Sequence, residues 1–323
     1  MVRRCLLAAV LIGALGFDAA AAAPEVVVSI KPLHSLAARI MAGVGEPTLL
    51  VGGNASLHTY SLKPSQAAAL EAADLVVWVG PGFESFLVEP LEALAGEARV
   101  LAATDVPGML LLPPREGGSW EAHEDEHEGE AHEDEEAVEH EDEEHAHEAG
   151  EVDGHVFLDP ANAMTMAAAL TAALEELDPA NAAAYAANGQ SLQGELAALD
   201  QEIAATLAAV RDQHFVVFHD AYQYFEARYG LAAIGSITVS PEQQPGARRL
   251  TEIRDKIAAL HAVCIFAEPG FEPALIETLV AGTDARSGIL DPEGAALPAG
   301  PELYSALLRA LAKSLRDCLA PQD

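Results

Sequence analysis

The sequence predicts an α/β protein of two lobes, each a mainly parallel sheet flanked by helices, joined by one long bridging helix. Two observations carry that class. Short β-branched runs alternate with helix-length segments in both halves of the chain, a pattern that implies parallel sheets with helices on their faces. Between the halves, Leu192, Leu196, Leu199, Ile203, Leu207 and Val210 recur at spacings of 4-3-4-4-3, the apolar seam of a long helix. At 323 residues the chain is long enough for two domains.

The first residues stand apart from the fold. Arg3 and Arg4 precede an apolar run from Cys5 to Phe17, and small residues follow up to Ala23. This is the pattern of a secretory signal peptide, taken as residues 1–23, and the run is too short to span a bilayer. The mature chain is expected in the periplasm, with no membrane insertion.

The N-terminal lobe is expected over 24–178. EVVVSI (25–30), TLLVGG (48–53), LVVWVG (75–80) and 99–103 read as strands. Helices follow from Pro32 to about Met41, from Pro64 through Ala73, over 83–96, and over 161–177 after Pro160. The bridging helix is placed at 179–212, an Ala-rich rod of roughly 50 Å at about 1.5 Å per residue. The C-terminal lobe, 213–323, repeats the alternation. Strands are expected at FVVFHD (215–220), IGSITV (234–239), CIFAEP (264–269) and GILDP (288–292). Helices are expected at 221–229, 246–260, 272–281 and 301–319.

One stretch breaks the pattern. Residues 121–151 hold six histidines (His123, His127, His132, His140, His145 and His147) and seventeen Asp or Glu, with no Lys or Arg. So dense a set of carboxylates repels itself and offers little to bury, so a disordered loop is expected over 116–152. Interleaved imidazoles make it a metal-collecting loop, binding loosely because a flexible chain loses entropy on wrapping an ion. It supplies half of a net charge of −34. A field of that sign opposes nucleic acid and attracts cations.

Beyond the signal segment two cysteines remain, Cys264 and Cys318. In an oxidising compartment an even pair reads as a disulfide, here tying a strand to the last helix; two buried thiols are the alternative. Outside the loop, His58, His155 and His219 and the carboxylate of Asp291 fall at or near positions where α/β folds bind ligands, past strand carboxyl ends. His34 is expected to pack, and His214 and His261 to be exposed. Glu268 in FAEP is expected to make a structural hydrogen bond. Tyr60, Trp78, Tyr222 and Phe225 are expected in the core or lining the cleft.

The segments SIKPLHSLAARI (29–40), GGNASLHTYSLKPSQ (52–66), GHVFLDP (154–160), FVVFHDAYQYFEARYGL (215–231), FAEPGF (266–271) and GILDPEG (288–294) occur in order and at consistent spacing. Through them the chain closely resembles the zinc-specific substrate-binding proteins of bacterial ABC importers, the ZnuA type, within the zinc/manganese solute-receptor family. The resemblance implies three zinc ligands, His58, His155 and His219. It also implies a fourth position filled by Asp291, by water or by a loop histidine. Three neutral imidazoles suit tetrahedral Zn²⁺. Manganese members typically carry a carboxylate where His219 stands. Leu57 occupies a position where some zinc members have a glutamate, which closes that route. The implied partners are a zinc ABC permease with its ATPase and, as a further one, a periplasmic metallochaperone, with the protein itself a monomer. The alternatives are a manganese receptor of the same family and a zinc metallohydrolase. The latter needs a general acid or base beside the metal-bound water, and no residue with motif support supplies one.

Overall fold

The computed structural model describes residues 22–52, 60–115, 120, 152–238, 246–269 and 273–321. Two four-stranded sheets form, both entirely parallel. The first contains β1 (Val26–Val28), β2 (Thr48–Leu49), β3 (Leu75–Trp78) and β4 (Arg99–Ala102), in the order β2-β1-β3-β4. The second contains β5 (Phe215–Val217), β6 (Ala233–Ser236), β7 (Cys264–Ala267) and β8 (Arg286–Ile289), in the order β6-β5-β7-β8. In each, the first strand of the lobe is central, so the chain starts in the middle and builds outward both ways.

The helices are α1 (Lys31–Ile40), α2 (Pro64–Glu71), α3 (Val88–Leu94), α4 (Pro160–Leu177), α5 (Ala182–Leu207), α6 (Gln223–Tyr229), α7 (Ala247–Leu260), α8 (Pro273–Val280) and α9 (Leu303–Leu319). The residues of β1 and β3 are buried throughout, as expected of central parallel strands covered on both faces. In β5 the two-residue alternation sorts the faces. Phe215 and Val217 enter a core continuous with the first lobe, while Val216 joins Ile253, Ile257, Ile265 and Leu279 in a second core.

Most elements are shorter than the apolar runs that announce them. FVVFHD keeps its regular ladder only to Val217; the Phe218 carbonyl still accepts the Ile237 and Thr238 amides, and His219 lies beyond the end of the strand. The helix expected over 83–96 begins only at Val88, after a 3-10 turn at Ser85–Leu87. Pro90 explains the late start: it has no N–H to donate back into an earlier turn, so it is accommodated in the first turn. The last strand begins two residues early, at Arg286, on the sheet edge where polar residues are tolerated.

The seam residues Leu192, Leu196, Leu199, Ile203 and Leu207 are buried along α5. This helix packs on α1 and α4 and also on α6 and α9, so it touches both lobes. Gly189 is needed there. A β-carbon would collide with the Thr171 side chain, so the glycine lets α4 and α5 approach closely. Cys264 at the start of β7 is bonded to Cys318 near the end of α9. Among the described residues no helix is long and apolar enough to cross a membrane.

Candidate metal centre

Strand adjacency builds one side of the site. β5 and β7 are parallel neighbours in register, Phe215 opposite Cys264 and Val216 opposite Ile265. Their carboxyl ends therefore lie side by side. His219 stands just past the end of β5 and Glu268 immediately past the end of β7, where they meet: His219 Nδ1 lies 2.6 Å from Glu268 Oε1. The same oxygen accepts the Tyr222 hydroxyl at 3.2 Å. All three side chains are buried. The carboxylate can only accept, so Nδ1 carries the proton and the Nε2 lone pair is left for another partner. Burial by itself would lower the His219 pKa, but Glu268 beside it prevails and the net shift is upward. Burial, then Glu268, holds the Tyr222 hydroxyl well above its ordinary pKa, so it stays a donor.

Local chain geometry builds the other side. His155 opens a 3-10 turn, His155–Leu158, that runs into α4; Asp159 caps that helix by accepting from the Ala161 amide at 2.8 Å, and Pro160 takes its first position. Two residues before the imidazole, Asp153 Oδ1 accepts the His155 amide at 3.0 Å and lies 2.7 Å from His155 Nδ1. Burial pushes the Asp153 pKa up, but the His155 ring and the hydrogen bonds outweigh it and hold the carboxyl below its ordinary range. Phe83 packs edge-on against the His155 ring with centroids 5.1 Å apart. Gly154 makes room for it, since a β-carbon there would lie 2.5 Å from Phe83.

The two imidazoles face one another across the crevice with ring centroids 5.4 Å apart and planes inclined at 56°. Two imidazoles bound to one tetrahedral zinc, at Zn–N distances of about 2.0–2.1 Å, have centroids about 5 Å apart. Each ring is backed at Nδ1 by a carboxylate, the arrangement that fixes tautomer and orientation in histidine metal ligands. The pair therefore fits a divalent cation.

Acidic groups crowd the C-terminal side. Glu293 is pushed up to about 7, chiefly by burial; His219 opposes the shift, and Glu268, Asp291 and Glu84 add to it. Glu84, in the first lobe, is also raised to about 7 by burial, although it accepts from the Val79 and Gly80 amides at 2.7 and 3.2 Å. Asp291 stands two residues past β8 and is half-buried. Its Oδ1 accepts from the Ala295 amide at 2.9 Å and its Oδ2 from the Ala296 amide at 3.1 Å, so both oxygens hold its own turn.

Of the residues singled out in the sequence, the structure brings His155 and His219 together. Among the described residues no three His, Cys, Asp or Glu side chains form a cluster able to hold a metal. His58 and the loop histidines His123, His127, His132, His140, His145 and His147 lie outside the described residues, as does the signal segment up to residue 21. His34 bonds the Pro47 carbonyl through Nε2 at 3.0 Å and packs within α1, while His214 and His261 are exposed. Trp78, Tyr222 and Phe225 are core residues, and the Tyr60 ring packs at a tilt against Phe86. The sequence reading missed Asp153 as the partner of His155, although its spacing two residues before a candidate ligand was a usable signal. It also missed Arg115, whose guanidinium bonds both Asp220, next to His219, and Glu226.

Two parallel-sheet lobes that bring paired, carboxylate-backed imidazoles together between them fit a solute-binding protein for a cation. A family model described as ZnuA, zinc-uptake complex component A periplasmic, matches residues 26–318, and the chain belongs to that family. The chain is 51% identical over 325 residues to the high-affinity zinc uptake system protein ZnuA of Brucella suis biovar 1 (strain 1330), covering 98% of this chain and 97% of the relative. Among solved structures it is similar to a crystal structure of ZnuA, at 27% identity and a TM-score of 0.73, covering 92% of this chain and all of the other. It is also similar to a 138–173 ZnuA deletion mutant with zinc bound, at 26% identity and a TM-score of 0.73, covering 93% of this chain and all of that one.

Proposed function

We propose that this chain captures Zn²⁺ between its lobes and delivers it to an ABC-type zinc import permease driven by its ATPase subunits. His58, His155 and His219 are the ligands in this reading. The pairing of His155 with His219, each oriented by its own carboxylate, is the observation that carries it. A histidine rather than a carboxylate at 219 favours zinc over manganese, since imidazole suits zinc and carboxylate suits manganese. Family membership and the relatives named for zinc uptake support the same cation and the same partner class.

The protein works as a monomeric receptor in the periplasm after loss of residues 1–23 and performs no catalysis. The lobes run over 24–178 and 213–323, with 179–212 as the connecting rod. The fourth position falls to Asp291, to water or to a loop histidine; Asp291 can serve because each carboxylate oxygen has a second lone pair beyond the one given to its turn amide. The loop histidines gather zinc weakly and add stoichiometry.

Titration calorimetry tests this on the mature protein. One tight zinc site is expected, and zinc should raise the melting temperature. The tight phase should disappear in His58→Ala. Undiminished tight binding in that variant would remove His58 from the site.

A further inference from the structure

Lys31 opens α1 in the first lobe, three residues beyond the end of β1, and its side chain is buried. Its ammonium crosses to the other lobe. Nζ donates to the carbonyls of Gly294, Ala295 and Leu297 at 3.1, 3.0 and 3.1 Å. These use all three of its N–H bonds, and among the described residues it forms no ion pair with a carboxylate. The turn it grips is the one Asp291 closes from within through the Ala295 and Ala296 amides. The same turn carries Glu293, whose charge bears on His219.

We propose that Lys31 is a positioning residue for zinc retention, an inter-lobe clamp that fixes the 291–297 turn and with it the width of the crevice across which His155 faces His219. The inference rests on the zinc-receptor reading above. A buried ammonium whose hydrogen-bond partners among the described residues are three carbonyls of the opposite lobe resists any change in their spacing. Separating the lobes would strand a desolvated charge, and such groups are costly to leave unpaired. Ser35 provides an internal comparison. Its hydroxyl also joins the lobes, donating to the Pro301 carbonyl at 3.0 Å and accepting from the Tyr304 amide, and these partners lie outside the 291–297 turn.

The test uses the full mature chain, stripped of metal and reloaded with zinc alone. Zinc release into excess chelator is followed by stopped flow, with hydrogen exchange at the amides of 294–297. In Lys31→Met release should speed up by roughly tenfold, the lower end of what losing a ligand's supporting partner costs. Exchange in the turn should rise at a temperature where the variant is fully folded. Ser35→Ala should lower the melting temperature without that acceleration. Equal release rates in Lys31→Met and the unaltered chain, or equal acceleration in Ser35→Ala, would overturn the clamp. Absence of tight zinc binding in the unaltered chain would overturn the receptor reading and the clamp with it. If Lys31→Met does not fold, Lys31→Gln, which can still reach one carbonyl, takes its place with the same expected and contrary results.

Discussion

His155 and His219 carry the same chemical arrangement, an imidazole with Nδ1 against a carboxylate, but the chain builds it in two different ways. Asp153 is two residues from its histidine and is held by the turn that leads into α4. Glu268 is 49 residues from its histidine and reaches it only because β5 and β7 are hydrogen-bonded neighbours. The local version depends on a few backbone dihedrals. The long-range version depends on the register of a sheet, and so on whatever holds that sheet in place. Damage to the second lobe should therefore disable His219 and spare His155.

Removing the Cys264–Cys318 bond should separate the two most strongly. The bridge spans 54 residues and anchors β7, the strand that delivers Glu268. The double variant Cys264→Ser, Cys318→Ser should lose about 2–5 kcal/mol of stability, read from denaturant unfolding. Its zinc affinity should fall together with the His219 signals in NMR spectra, while the His155 resonances stay in place. Equal disturbance of both rings would mean that the two constructions are not independent.

A smaller effect should come from the carboxylates themselves. Glu268→Gln and Asp153→Asn each remove the charge that orients one imidazole, and if these are the ligands proposed above zinc affinity should fall by about 10–100-fold in each. Glu268→Gln should be the worse of the two, because Tyr222 loses its charged acceptor as well. Competition with a chromogenic chelator would measure both; a larger loss in Asp153→Asn would reverse the ranking of the two supports.

The smallest effect concerns pH. Burial alone would lower the His219 pKa, but Glu268 raises it above the ordinary 6.5. A proton therefore competes with zinc at higher pH than it would at a free imidazole. Capture should weaken as pH falls through the raised His219 pKa, by up to about tenfold per unit from that imidazole. In the metal-free protein the sign is opposite. The protonated pair stabilises the fold fully below 6.5, and that contribution is lost as pH rises through the raised folded pKa. Glu268→Gln should shift the midpoint of zinc capture to lower pH even as affinity at pH 8 drops. An unmoved midpoint would show that Glu268 does not set it.

Much of this architecture was legible in the residues. β-branched runs and the Leu192 to Val210 seam located nearly every element, because burial on both faces of a parallel strand and on one stripe of a helix leaves a period in the sequence. The three histidines were singled out through the family resemblance and their positions near strand ends; two of them, His155 and His219, lie side by side, and His58 is outside the described residues. The carboxylate partners were harder to read. The Glu268 contact follows from the strand order β6-β5-β7-β8, which no periodicity encodes. Strand ends were overestimated for a related reason: apolar residues such as Phe218 continue past the regular ladder into the core of the second lobe, where hydrophobicity persists after the strand has ended. The Lys31 contact was illegible because its acceptors are backbone carbonyls, which leave no mark on side-chain identity.

That last property has an evolutionary corollary. Because the ammonium of Lys31 recognises main-chain oxygens, the side chain at 295 can drift without loosening the grip, whereas Leu297 packs on the core and Gly294, at φ +70°, is restrained by its own backbone. Related chains should thus keep a lysine at the head of α1 and a glycine at the turn, and vary more freely at 295.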